Sequence, residues 1–425
     1  MQEAMALNGD GMRLLAPADA AAAARSFDLM QLPQGFVDDP YPIYHALRMH
    51  EPVRVMPDGS LFLTRHADLE RVYKDTTTFS SDKRAEFAPK FGKGALFQHH
   101  TTSLVFNDPP LHTRVRRIIA GALTPRAIAA MEAPVTALVD RLLDEMAIKA
   151  KAGATADLID DFAAAIPVEV IGNMLAVPHD DREPLRDWSL AILGALEPSL
   201  NQAQLDAGEQ AVDDFLDYLR DLVAARRRHP GDPEKDVLTR LIQGEVDGEQ
   251  LSELQLLHNV IFILNAGHET TTNLIGNGLV ALLEWPQEKQ RLLDDPALMR
   301  TAVEEFLRYE SSNQLGNRMT TADVEIGGHA FPAGTPVTLC IGAANRDPER
   351  FERPDLLDVG RRPNRHLAFA SGAHQCVGMA VARLEGQVAI GRFLASFPGY
   401  HAAGDFVRGG RVRFRGFQSV PVKLA

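Results

Sequence analysis

Residues 251–283 carry the longest helical pattern in the chain, roughly 50 Å at the standard rise per residue. Before Asn265 the pattern is nearly all apolar. A helix that is hydrophobic all round runs through an interior, and an interior of that length needs a large fold around it. The chain has 425 residues, 45% hydrophobic and 24% charged, an ordinary globular balance with ample core. Helix signals surround the long segment. Apolar residues recur at three-four spacing over 127–146, 158–175, 181–196 and 204–228. Arg226-Arg227-Arg228-His229 before Pro230-Gly231 is a helix stop with its cations at the C-terminal end. Further helices are expected over 41–50, 67–74 and 379–397. Val53 to Met56 and Leu61 to Thr64, around Pro57-Asp58-Gly59, predict a β-hairpin. Short strands are expected at 324–326, 337–340 and 412–422. Residues 79–103 show no clear period and contain Pro89, Gly92 and Gly94; such long irregular stretches are usually functional or mobile. The expected class is mainly α with small β-sheets, an α+β chain. Residues 1–33 read as a poorly ordered lead.

The bulk properties exclude several functions. A net charge of -13 argues against general nucleic-acid binding. There are two cysteines, Cys340 and Cys376, so no disulfide framework is indicated. Cys340 lies in an apolar run, 337–341, and reads as core. Residues 1–28 hold no apolar run that could span a bilayer and no signal-like stretch. The expectation is a soluble, cytoplasmic protein with no membrane partner. No GxGxxG follows a strand, so no fused nucleotide-binding domain is expected.

Two places break the structural pattern. In Ala266-Gly267-His268-Glu269-Thr270-Thr271, Gly267 costs about 1 kcal/mol against Ala inside a helix. Glu269 is costly to bury unpaired. Thr270 can bond back to a carbonyl four residues earlier and loosen the helix. Together they open a groove, or else form a threonine cluster beside a solvated glutamate. A zinc-protease HExxH would need His at 272, which is Thr. The second place is the loop Phe369-Ala370-Ser371-Gly372-Ala373-His374-Gln375-Cys376-Val377-Gly378, just before the helix expected from Met379. Free amides and the dipole at a helix N-terminus keep a thiolate ionised, and such a thiolate suits haem iron. Two alternatives stand beside this: an inert small hydrophobe, or a zinc site with His366 and His374, for which no second ligand pair appears.

The loop resembles the haem-binding signature of the cytochrome P450 family. Residues 266–271 resemble that family's oxygen-activation motif and Glu305-Phe306-Leu307-Arg308 its ExxR motif. Residues 108–116 resemble the haem-contacting helix of bacterial members, and Asn345-Arg346-Asp347-Pro348 fits the segment before their meander. All stand in the family's order, and the resemblance runs from about Asp39 to the C-terminus.

The resemblance implies a soluble bacterial-type P450 fold, with haem between a long central helix and a Cys-bearing loop, and one haem-thiolate monooxygenase domain over 34–425. It implies heme b (iron protoporphyrin IX) with Cys376 as axial thiolate, and Phe369 and Gly378 among the cofactor contacts. Thr270 would hold dioxygen and Glu269 would relay protons. His112, Arg116, Arg318 and His374 would meet the haem propionates; His112 and Arg116, at i and i+4, share a helix face, with Asp108 expected as its N-cap. Glu305 and Arg308 would form a structural ion pair joined by Arg362 or Arg365. The implied reaction inserts one oxygen atom from O2 into a small organic substrate. Its electrons come from a ferredoxin and ferredoxin reductase, with Arg114, Arg117, Arg361 and Arg383 as a docking face. The substrate-side residues would be Asn265, Ala266, Asn313, Gln314 and Phe417. Three departures stand out. Ala370 replaces a frequent glycine, tolerable if φ stays negative. Ser312-Asn313 replaces Pro-Val, and Asn265 replaces an aliphatic residue. The two amides suggest a substrate with polar groups, or bonds to protein. Peroxygenases and haem isomerases of the family tend to lack the acid–alcohol pair that is present here. A haem-based sensor is the remaining rival.

Overall fold

The computed structural model describes residues 12–246 and 249–424. They pack as two compact units. The first comprises residues up to Ser80, Asn273–Cys376 and Gly404–Val420; the second comprises Ser81–Thr272, Val377–Ala403 and the end from Pro421.

The first unit is built on a mixed five-stranded sheet. Its strand order is Val53–Val55, Leu61–Leu63, Pro336–Cys340, Leu315–Thr320, Phe79–Ser80. The first two strands form the expected hairpin, with Val53 opposite Leu63. Gly59 supplies the turn at φ +83, and the Asp58 carboxylate accepts the Ser60 amide at 2.9 Å. Leu61, Phe62 and Leu63 are all fully buried, because this strand is covered on both faces. Leu61 and Leu63 join Leu69, Val72 and Tyr73 on one side. Phe62 joins Phe27, Phe36 and Tyr44 on the other, the period-two alternation of a strand. Leu315–Thr320 has no strand signal in the sequence, since Asn317 and Arg318 interrupt any apolar alternation; its ladder to Pro336–Cys340 defines it.

Residues 1–11 of the expected lead lie outside the described residues; residues 12–33 are more ordered than their composition suggests. Pro17–Ser26 is a helix with Ala20 and Ala24 buried. Phe27 follows it, with its ring 5.2 Å from Phe62. Burying one such side chain contributes roughly 1.5–3 kcal/mol, enough to dock a short segment. The stretch expected as one strand over 412–422 is instead Phe417–Ser419 and Pro421–Lys423, in different sheets. Pro421 lacks the N–H that would continue one ladder.

Buried charge organises the rest of this unit. Glu305 and Arg308, both fully buried, pair through two 2.7 Å bonds. The third partner is Arg361 rather than Arg362 or Arg365: its Nε donates to both Glu305 oxygens at 3.1 Å. Asn364 Nδ2 and the Asp358 amide also donate to Glu305. Removing one partner from such a buried pair typically costs about 3–5 kcal/mol.

The second unit is helical. Its helices include Leu111–Ala122, Pro125–Lys151, Ala165–Met174, Glu183–Gly194, Gln202–Arg228, the long helix Glu253–Glu284 as far as Thr272, and Met379–Ser396. Caps fix several starts: Thr124 accepts the Ala127 amide, and Asn201 and Gln204 form a reciprocal capping box. The expected helix over 158–175 is broken by a π-turn, Ile159–Ala163, where the Asp157 carboxylate takes the Ile159 amide. The stretch without a period, 79–103, holds two helices, Arg84–Phe91 and Ala95–Thr102. Their buried faces include His99, His100 and Thr101, polar types that hide an apolar stripe. Among the described residues no single helix is long and apolar enough to cross a membrane.

His99 and His258 are buried with ring centroids 5.5 Å apart. Burial, helped by Arg220, pushes His258 down to about 4, and burial drives His99 well below its ordinary value. Between the unfolded value near 6.5 and these depressed values, the unfolded chain binds more protons. Stability therefore falls as pH drops from about 6.5 towards 4. In denaturant titrations His258→Phe should gain on the parent by up to about 1.4 kcal/mol per pH unit across that window. A difference independent of pH would show that His258 is charged or solvated when folded.

Candidate active site

In the first unit the cysteine loop is tied at both ends. The Asn345 side chain accepts the Leu367 amide at 2.7 Å, and the Arg308 Nη1 donates to the Asn345 carbonyl. At the other end the Cys376 amide donates to the Phe369 carbonyl at 2.9 Å. Between them, Gly372 has φ +68, and a Cβ there would lie 2.4 Å from the Tyr73 carbonyl oxygen; only glycine fits. Ala370 departs from the sequence expectation: its φ is +55, in the left-handed region. Loop closure through the Cys376 amide and the Ala370 amide bond to Leu367 holds it there. Cys376 is exposed and in no disulfide, whereas Cys340 is buried, with its thiol pushed up to about 12 by burial. His374 lies in the short turn Gly372–His374 of the same loop. His366, the third residue of the zinc alternative, pairs with Glu304 instead, at 3.2 Å.

Arg318, on Leu315–Thr320, is buried, and its guanidinium lies 5.2 Å from the Tyr73 ring centre. Asn313 makes a bridge with Phe414. Gln314 is anchored locally, with its Nε2 donating to the Ser311 carbonyl at 2.7 Å and its side chain filling the space over Gly342. Phe417 packs beside Phe406 and under Arg408. Gln314 and Phe417 are thus held by protein contacts within this unit.

In the second unit the long helix continues without interruption through Gly267. Gly267 leaves room for Ile171, whose Cδ1 would lie 2.5 Å from an added Cβ. The glycine therefore serves helix packing, and the chain stays helical through residues 266–272. Thr270 does bond back, its Oγ1 donating to the Ala266 carbonyl at 2.9 Å. Thr272 does the same to His268 at 3.0 Å. Ala266 is exposed, although Asn265, His268 and Glu269 beside it are buried. Asn265 is only 2% exposed, and neither atom of its amide has a protein hydrogen-bond partner among the described residues. Burial pushes His268 down to about 4, so it stays neutral at pH 7.

His112 is buried and Arg116 half-buried on Leu111–Ala122. Asp108 is not the N-cap. The helix begins at Leu111 without a side-chain cap, and the Asp108 carboxylate accepts the Ser81 amide at 2.9 Å. Gly378 is the N-cap of Met379–Ser396, two positions after Cys376, and that helix start carries free amides and partial positive charge. Of the arginines in the docking set, Arg114 donates to Gln255. Arg361 is spent on Glu305 inside the first unit and drops out.

The family model described as Cytochrome P450 matches residues 52–399. The chain is 35% identical to Cytochrome P450 107B1 of Saccharopolyspora erythraea, over 93% of this chain and 98% of that protein. It is 37% identical to a vitamin D(3) 25-hydroxylase of Pseudonocardia autotrophica, over 85% of this chain and 87% of that protein. The fold matches a solved structure of P450BioI in complex with an acyl carrier protein ligated to hexadec-9Z-enoic acid. The TM-score there is 0.86 at 32% identity, covering 92% of this chain and all of that one. The chain belongs to the cytochrome P450 family and is an oxidoreductase of bacterial type. The family implies a haem cofactor. The residues present fit it: an exposed cysteine outside any disulfide, on a loop closed by its own amide.

The positive φ at Ala370 has a stability consequence. The left-handed conformation costs an L-residue about 1–2 kcal/mol, partly offset by glycine's greater unfolded entropy. Ala370→Gly should therefore stabilise the protein by about 0.5–1 kcal/mol in urea unfolding. A loss of stability would mean that the loop is not held at positive φ.

Proposed function

We propose that this protein is a haem-thiolate monooxygenase that hydroxylates or otherwise oxidises a small organic substrate carrying at least one polar group. Residues 34–425 are its catalytic domain. The observation that carries the reading is Cys376, exposed at the end of a loop that its own amide closes onto Phe369. Cys376 would supply the axial thiolate of heme b, with Phe369 and Gly378 flanking it. His112, Arg116, Arg318 and His374 would neutralise the propionates. When bound, the haem supplies the activation of O2 and the insertion of one oxygen atom.

This chain's own residues then do three things. Thr270, fixed by its bond to the Ala266 carbonyl, holds a hydroxyl at a defined place on the long helix, where it can hand on a proton. Glu269, buried one position earlier, relays protons to it. Asn265 offers an unsatisfied amide to the substrate, and a buried amide finds a partner. Ala266 and Asn313 complete the substrate side, while the protein contacts of Gln314 and Phe417 make them shaping residues. Relatives at this distance take different substrates, as the vitamin D(3) 25-hydroxylase and the fatty-acyl carrier complex illustrate, so pocket polarity decides the class. Electrons come from a separate ferredoxin and ferredoxin reductase docking near Arg114, Arg117 and Arg383. The enzyme works in the cytoplasm without membrane or nucleic-acid partners.

The reduced protein with carbon monoxide should show the red-shifted band of a thiolate-ligated haem. Cys376→Ala should lose that band and turnover together; a mutant that keeps the band sinks the assignment.

Asn265→Leu tests the polar pocket. Losing a buried hydrogen-bond partner costs about 1–3 kcal/mol, so oxygenated ligands found by spin-shift titration should bind roughly 5- to 150-fold more weakly. Apolar ligands should bind as well or better. Equal affinity of oxygenated ligands for mutant and parent would remove Asn265 from recognition.

A further inference from the structure

The stretch without a sequence period carries an imidazole cluster, all of it within the second unit. His99, on Ala95–Thr102, lies against His258 of the long helix with ring centres 5.5 Å apart, and against His100 at 5.1 Å. His99 and His258 are 2% and 0% exposed. Both His258 nitrogens and the His99 Nδ1 have no protein hydrogen-bond partner among the described residues. Phe87, Phe91 and Phe106 pack around His100, so the surroundings are apolar. A neutral ring tolerates such a place; a cation there needs an acceptor. Among the described residues no carboxylate acts on either ring. On the neighbouring elements, Glu86 is taken by Lys83, Glu209 by the Leu96 amide, Asp217 by Arg220 and Glu253 by Arg227. The other charges there are cations: Arg84 and Lys90 on Arg84–Phe91, and Arg220, which acts on His258 from Gln202–Arg228.

Polar bonds tie the segment to its neighbours. Asn259 accepts the Leu104 amide at 2.8 Å and donates to the Thr102 carbonyl at 3.4 Å. Glu209 accepts the Leu96 amide at 3.1 Å, and Lys90 donates to the Glu197 carbonyl at 2.6 Å. Water can replace each of these once the segment lifts. His258 and Asn265 lie two turns apart on one face of the long helix. We propose that His99 and His258 are an acid-operated catch: neutral, they hold residues 84–102 against the long helix; protonated, they release that segment and uncover the face that His258 shares with Asn265. Two cations 5.5 Å apart repel strongly in a low-dielectric site, and each draws in water. Burial, helped by Arg220, holds His258 down to about 4 while the segment is closed; in water an imidazole titrates near 6.5. Below 6.5 the open form therefore binds more protons, so opening grows as pH falls. The consequence for ligands rests on the reading of Asn265 as a substrate contact; the catch itself does not.

Hydrogen exchange on the haem-loaded full chain tests it, read as protection factors so that the intrinsic pH dependence of exchange drops out. Between pH 7 and pH 5 the opening of residues 84–102 should increase roughly 20-fold for each of the two histidines, while Pro125–Lys151 of the same unit stays protected. His99→Phe and His258→Phe, which keep a ring in place, should each remove about one such factor, and the double variant should open equally at both pH values. Protection over 84–102 that does not change with pH in the parent overturns the catch, even if a variant fails to fold. So does loss of protection over 84–102 and Pro125–Lys151 together, which is global unfolding, and so does an undiminished pH dependence in the double variant. Entry of a neutral spin-shifting ligand, followed by stopped flow, should quicken in step with opening in the parent and not in the double variant. Opening without faster entry overturns the route past Asn265, while the exchange result still supports the catch.

Discussion

The Glu305 carboxylate is the hub on which the cysteine loop depends. It receives the Arg308 guanidinium, the Arg361 Nε, the Asn364 amide and the Asp358 backbone amide, which saturates its lone pairs. Arg308 uses its remaining donors on the carbonyls of Asn345, Pro354 and Leu356. Asn345 in turn accepts the Leu367 amide and donates to Ser311. A single buried carboxylate thus fixes the chain just before the loop that carries Cys376. Burying so much charge is tolerable only because nearly every donor is matched; a half-satisfied network would be worse than an apolar core.

A second buried network secures the frame behind it. Arg346 lies between the rings of Tyr41 and Tyr309, 3.4 and 3.9 Å from their centres, and pairs with Asp355. Arg415 pairs with Glu310, which also accepts the Tyr41 hydroxyl. Together with Arg415 and Arg408, this holds Glu310 down to about 2 despite its burial. The loop can then carry strain. Ala370 at φ +55 and Gly372 at φ +68 are positions that flanking structure must over-determine. The result is a thiol whose backbone is pre-set before any ligand arrives, as a reactive first contact requires.

Much of this was legible in the sequence, and the failures have physical causes. Elements with clean periodicity or strong punctuation fall where expected: Tyr41–His50, Val324–Ile326 and, within two residues, the long helix. Ala95–Thr102 is hidden because histidine and threonine occupy its buried face, and Arg84–Phe91 because it buries only Phe87 and Phe91 and contains Pro89. Three arginines, 361, 362 and 365, crowd one segment, and composition cannot say which one turns inward; the fold selects Arg361. The backbone sign at Ala370 depends on a loop held by Asn345, 22 residues before Leu367, and packed against Tyr73, far away in sequence. Gly267 breaks the helix pattern for a packing reason, since an added Cβ there would meet Ile171.

Polar satisfaction separates the structural residues from those left available. Glu305 and Arg308 have every strong site filled by protein, and a ligand could add nothing to them. Asn265 is equally buried, yet both its amide atoms lack protein partners among the described residues. Leaving a buried donor and acceptor open costs about 1–3 kcal/mol each, a penalty that selection for stability alone would remove with a leucine. The same chain spends several hydrogen bonds on one carboxylate at Glu305 and none on the amide of Asn265. That contrast separates them: Glu305 holds the frame, and the unmatched amide of Asn265 is what supports the proposal that it meets a substrate.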